Sequence, residues 1–152
     1  MLPSALLAVA AFLSTAYIHL AILRWCSEGM AAIPLAPMTR ALMVTTLLFA
    51  THMAEIALYA CAYALAEHVF SVGAFAGEPI AAPLDYLYFS AITYTSLGIG
   101  DIFPTGHLRF LTGVEALNGL LLIAWSASFL FALMTRLWDW KPCRGPERPR
   151  KQ

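Results

Sequence analysis

Residues 95–101 read TSLGIGD, with Gly98 and Gly100 alternating with Leu97 and Ile99 and an acid, Asp101, at the end. Glycine adopts left-handed backbone angles without a Cβ penalty. Placed at alternate positions, it lets successive peptide carbonyls face one axis while the aliphatic side chains pack outward. A ring of such carbonyls replaces the water shell of a cation. The Ser96 hydroxyl adds an oxygen at the inner end, and Thr95 precedes it.

The other residues able to do chemistry are isolated acids and histidines in apolar surroundings. Glu115 lies inside a long apolar run, where a carboxylate costs about 2.5–3.5 kcal/mol at the centre of a bilayer. The expectation is a structural brace, with Glu115 bonded to the back of the helix preceding the glycines, near Ser90 or Thr93. His52 and Glu55 stand three apart, a spacing that pairs side chains on a helix surface. Local pairing is the expected role, ahead of a proton relay or a metal site. His19, His68 and His107 show no metal-ligand spacing. A two-histidine haem site on His19 and His52 is a remote alternative. Cys26, Cys61 and Cys143 form no CxxC pair and read as unpaired thiols.

These residues need elements to hold them. The chain has 152 residues, 61% hydrophobic and only 12% charged, with zero formal net charge. Soluble domains carry roughly 25% charged residues, so the bilayer is the expected solvent. No basic face is present for nucleic acid. Residues 3–23 lack a formal charge and suit a first span, within an N-terminal transmembrane segment over 1–24. Residues 25–40 contain Gly29, Pro34 and Pro37 and read as a loop. A second span is expected over 41–66 and a third over 108–137, followed by a basic, proline-rich tail over 138–152. Arg24 and Arg40 lie in the first loop, and Arg136, Lys141, Arg144, Arg148, Arg150 and Lys151 at the C-terminal end; Arg109 alone falls on the opposite side. The excess of basic residues marks the cytoplasmic side, so the N-terminus is expected outside and the C-terminus inside the plasma membrane. Trp25, Trp138 and Trp140 sit where an interfacial aromatic belt belongs.

Between the second and third spans the chain starts and ends outside, yet residues 84–95 (LDYLYFSAITYT) are apolar and aromatic. As a helix they reach about 18 Å at 1.5 Å per residue, too short to cross. A half-length helix over 85–95 that dips in and returns through residues 95–101 meets both constraints, because irregular backbone at membrane depth survives only when buried in protein or lining a watery path. Its C-terminal, negative dipole end then aims at the centre of the return stretch.

In these motifs the chain resembles the pore module of tetrameric potassium channels over residues 41–137. The family filter reads Thr-Val-Gly-Tyr-Gly-Asp; here it is Ser96-Leu97-Gly98-Ile99-Gly100-Asp101 after Thr95. Tyr88, Phe89 and Ser90 match the aromatic-aromatic-Ser start of the family's pore helix, and Pro104 falls three residues after the acid. The resemblance implies an all-α membrane fold: three transmembrane helices, a re-entrant pore helix and a selectivity-filter loop. It implies passive K⁺ transport with no bond chemistry, K⁺ held by the backbone of Ser96, Leu97, Gly98 and Ile99, and no organic cofactor. Tyr88, Phe89 and Glu115 would brace the pore helix. Gly119 falls where the family's inner-helix hinge lies. Ile99 departs from the family's aromatic and cannot hydrogen-bond the pore-helix cuff, so a weakly selective cation pore is the alternative. Position 92, glutamate in some family members, is Ile92 here.

One filter-like stretch occurs and no internal repeat, so a homotetramer in membrane lipid is expected. Gly119, Ile123, Ala127, Phe131 and Thr135 recur every four residues along the last span. That stripe stays near one face, with Phe131 as the candidate hydrophobic constriction.

Overall fold

The computed structural model describes residues 2–29 and 33–138. Its elements are α1 (Leu2–Glu28), α2 (Pro37–His68), β1 (Phe75–Gly77), α3 (Pro83–Tyr94), β2 (Ile102–Pro104) and α4 (Leu108–Leu137). α1, α2 and α4 are long and apolar enough to cross a membrane. At 12 residues, α3 spans only about 18 Å and is the half-length helix. The protein is an all-α membrane fold with a small two-stranded accessory sheet.

Helix ends extend past the apolar runs for local reasons. α1 continues to Glu28, where Arg24 and Glu28 pair at 3.2 Å, one turn apart. α2 starts at Pro37, four positions before the run at 41, because proline with its fixed φ suits the first helical position. Pro83 plays the same part in α3, and Asp85 reaches back to accept from the backbone N–H groups of Ala81 (2.7 Å) and Ala82 (2.8 Å). From residue 139 onward the expected basic tail, with Trp140 and Cys143, lies outside the described residues.

α1 packs on α2 and α4. Its buried positions are Ser4, Ala8, Ala11, Thr15, His19 and Cys26, a seam of mostly small or polar residues. Leu6, Val9, Leu13 and Leu20 are exposed. This is the inverse of a soluble amphipathic helix: small side chains let backbones approach and polar ones bond across, while the outer face suits lipid. Asn118 of α4 donates through Nδ2 to Thr15 Oγ1 (2.7 Å) and to Tyr59 Oη of α2 (3.0 Å), joining all three spans at one point.

β1 pairs antiparallel with β2, Phe75 opposite Pro104 and Gly77 opposite Ile102. The pair ties the loop after α2 to the segment after the glycines. Phe75 also enters an aromatic cluster with Tyr63, Tyr86 and Phe89, with ring centroids 4.8–5.8 Å apart and edge-to-face. Edge-to-face pairs add about 0.5–1.5 kcal/mol each beyond burial, so the cluster fixes α3 against α2.

Candidate functional site

The site is built on the backbone of residues 95–101. Ser96, Gly98 and Gly100 have φ of 57°, 55° and 85°, and Leu97 and Ile99 between them have negative φ. Alternating the sign of φ rotates each peptide back, so carbonyls that would point to opposite sides in a strand share one side. Serine at positive φ is uncommon, and the segment holds it by hanging from the end of α3. Ser96 N–H donates to Thr93 O (2.9 Å), and the N–H groups of Leu97 and Gly98 both donate to Ile92 O at 2.8 and 3.1 Å. These bonds satisfy the carbonyls of Ile92 and Thr93, two of those a helix end leaves free. The carbonyls of residues 95–100 accept no hydrogen bond among the described residues. The side chains between them are open as well: Leu97 is 66% and Ile99 58% exposed.

Both ends of this segment are tied. At the C-terminal end Tyr88 donates through its phenol to Asp101 Oδ2 at 2.6 Å, Ile102 N–H donates to Asp101 Oδ1 at 2.9 Å, and Glu78 N–H donates to Asp101 O at 2.9 Å. The Tyr88 hydrogen bond, with a smaller part from Ile102 N–H, holds the Asp101 carboxyl below its ordinary range. At the N-terminal end Thr95 donates its hydroxyl to Ala91 O (2.7 Å).

Behind α3 the side chains of three helices meet at Glu115. Ser90 and Tyr63 donate to its two carboxylate oxygens, each at 2.5 Å, and Ser90 also lies 2.8 Å from Ile56 O. Glu115 is fully buried, so these partners replace the solvation that hydrocarbon denies it. Phe89 sits in the aromatic cluster beside them. Ile92 is buried within α3. Gly119 marks a close approach of α4 to α3: a Cβ there would stand 2.1 Å from Tyr94 O. Farther along α4, Phe131 is exposed, as are Ile123, Ala127 and Thr135.

His52 lies 3.1 Å from Glu55 through Nδ1. The structure adds partners that spacing did not indicate: His19 from α1, Tyr94 from the end of α3 and Ser126 from α4. The rings of His19 and His52 stand 5.2 Å apart, bridged by Glu55 on one edge and Ser126 on the other. That bridging leaves no slot for a porphyrin between them. Phe75 and Asn118 are likewise absent from the sequence reading. An asparagine inside an apolar helix was the available signal for the second; a phenylalanine in a glycine-rich loop offered none.

A family model described as "Ion channel" matches residues 41–136. No curated protein matches the chain, and no solved structure does.

Proposed function

The chain belongs to the ion channel family, more than half its length falling within that match, and on that premise we propose that it is a potassium-selective channel subunit working as a homotetramer. The observation that carries this reading is the alternation of left-handed backbone at Ser96, Gly98 and Gly100. It gives a run of unpaired carbonyls on one side, and four such runs around an axis make the oxygen cage a dehydrated K⁺ needs. The carbonyls of Ser96, Leu97, Gly98 and Ile99 would hold the ions, with the Ser96 hydroxyl at the inner mouth. A single chain supplies one of the four walls, and the exposed Leu97 and Ile99 side chains suit packing by neighbouring copies. Phe131, exposed toward the end of α4, suits a constriction that closes by dewetting. The charge distribution favours a plasma-membrane protein with its N-terminus outside.

The test is a reversal potential. Purified protein in liposomes under opposed K⁺ and Na⁺ gradients should reverse near the K⁺ equilibrium potential. Reversal near zero would defeat selectivity while leaving a pore. A second reading, a weakly selective cation pore, draws on Ile99, whose side chain has no polar atom to anchor the filter to α3. Under that reading Ile99→Tyr raises the K⁺ to Na⁺ ratio; an unchanged ratio counts against it.

The outer clasp gives a pH prediction. A carboxyl with a lowered folded-state value contributes stability above its ordinary range and loses it as pH falls through the lowered value. The Tyr88–Asp101 contribution is therefore flat from neutral pH down to the ordinary aspartate range near ~3.9, and fails only in stronger acid. Tyr88→Phe removes the cause of the shift, so acid inactivation should begin at higher pH than in the wild type. Superimposable flux–pH curves would show that the clasp does not hold the conducting filter.

A further inference from the structure

The cluster joining His19, His52 and Glu55 does not enter the ion path proposed above. Its ligand-type atoms all lie within 4.8 Å of one another, and His19 and Glu55 are 0% exposed. We propose that His19, His52 and Glu55 form a binding site for a borderline divalent metal ion of the zinc class, with the Tyr94 phenol as a fourth ligand and Ser126 orienting both imidazoles.

The orientation of the rings carries the argument. His19 Nδ1 lies 3.0 Å from Glu55 Oε1, and His52 Nδ1 lies 3.1 Å from Glu55 Oε2. Both rings thus turn the same edge to one carboxylate. Tyr94 Oη is 2.6 Å from Glu55 Oε2 and 2.9 Å from His52 Nδ1. These separations approach the edge of a tetrahedron with metal–ligand bonds of ~2.0–2.1 Å, about 3.3 Å. The opposite edges of both rings meet one atom: Ser126 Oγ lies 3.0 Å from His52 Nε2 and 3.3 Å from His19 Nε2. Metal-bound histidines donate their second ring N–H to such an acceptor, which fixes the ring and its tautomer.

The hydrogen pattern accommodates the same arrangement. Without a cation, one ring donates from Nε2 to Ser126 Oγ while Ser126 gives its one hydrogen to the other ring, and Tyr94 Oη lies 2.9 Å from His52 Nδ1. A cation among the Nδ1 and carboxylate atoms places both ring hydrogens on Nε2, where the two lone pairs of Ser126 Oγ accept them. Two imidazoles, a carboxylate and a phenolic oxygen favour zinc or cobalt over K⁺ or Mg²⁺, which take oxygen alone. Coordinated as phenolate, Tyr94 brings the set to zero net charge with a divalent ion, the state an apolar interior tolerates. His19 comes from α1, His52 and Glu55 from α2, and Tyr94 precedes Thr95, so the metal would clamp the first helix to the base of the filter.

The full chain, purified without a polyhistidine tag from zinc-supplemented growth and dialysed, should retain about one zinc per subunit by elemental analysis. Loaded with Co²⁺, it should show the visible d–d bands of a tetrahedral nitrogen–oxygen site. Glu55→Gln, close in shape, should abolish the bands, and His19→Ala should too. Ser126→Ala should weaken metal affinity roughly 10–100-fold, and His107→Ala, remote from the cluster, should change nothing. A folded wild-type protein with no retained zinc and no cobalt bands overturns the proposal whatever the variants do, and leaves a shared proton to balance the cluster. Bands that persist in both Glu55→Gln and His19→Ala overturn it as well. Neither result depends on ion flux, so the channel reading stands or falls separately.

Discussion

Gly98→Ala should reduce ion flux to roughly a thousandth of the wild-type value or less. Gly98 has φ of 55°, and a built Cβ there meets nothing within 4 Å in its own chain. The substitution is therefore not blocked by bulk inside the subunit; its cost is the backbone. Left-handed geometry costs an L-residue about 1–2 kcal/mol, and in the proposed homotetramer all four copies must take that geometry, so roughly 4–8 kcal/mol is set against the conducting state. At about 1.4 kcal/mol per decade, that is three orders of magnitude or more. Flux from liposomes measures it, with cross-linking to verify that the assembly is intact. Near-normal flux from an intact assembly would mean that the conducting segment does not use the left-handed turn at Gly98.

Gly119→Ala should destabilise the protein before it alters gating. The added methyl would sit 2.1 Å from Tyr94 O and 2.9 Å from its carbonyl carbon. Both are backbone atoms at the base of α3, so no flexible side chain can yield, and α4 must move away from α3. Overpacking of this kind costs typically 1–3 kcal/mol in each subunit. Thermal unfolding in detergent should show a lower midpoint, and the yield of assembled protein should fall. A glycine needed only as a hinge gives the opposite pattern: an unchanged midpoint with shifted open probability. Such a result would return Gly119 to a bending role.

The parts of the fold legible in the sequence are those that a single segment encodes. Three apolar runs announce three spans because hydrocarbon thickness sets their length. Gly98 and Gly100 mark the filter-like turn because only glycine takes positive φ at little cost, whereas Ser96, at φ 57°, carries no such mark. The His52–Glu55 pair is readable because both lie on one helix face. The contacts that assemble the site are not readable in this way. His19 and Glu55 are separated by 36 positions and Thr15 and Asn118 by 103, and helix periodicity says nothing about which buried faces meet. The seam of α1 is hidden because its exposed face is more apolar than its buried one, the reverse of what hydrophobic periodicity looks for. The β1–β2 pair is hidden because each strand is three residues long, below what alternation can reveal.

That seam bears on how the protein is made. α1 leaves the ribosome before the helices it bonds to, carrying Thr15 and His19 on a face that has no partner until α2 and α4 arrive. Newly inserted and alone, it turns the His19 imidazole toward acyl chains, whereas the Thr15 hydroxyl already donates within α1 to Ala11 O and Phe12 O. The same groups make α1 inseparable once docked: stripping it away would turn Asn118, Tyr59 and Glu55 toward lipid. Removing α1 should thus lower the stability of the helices that remain, read as a lower thermal unfolding midpoint in detergent.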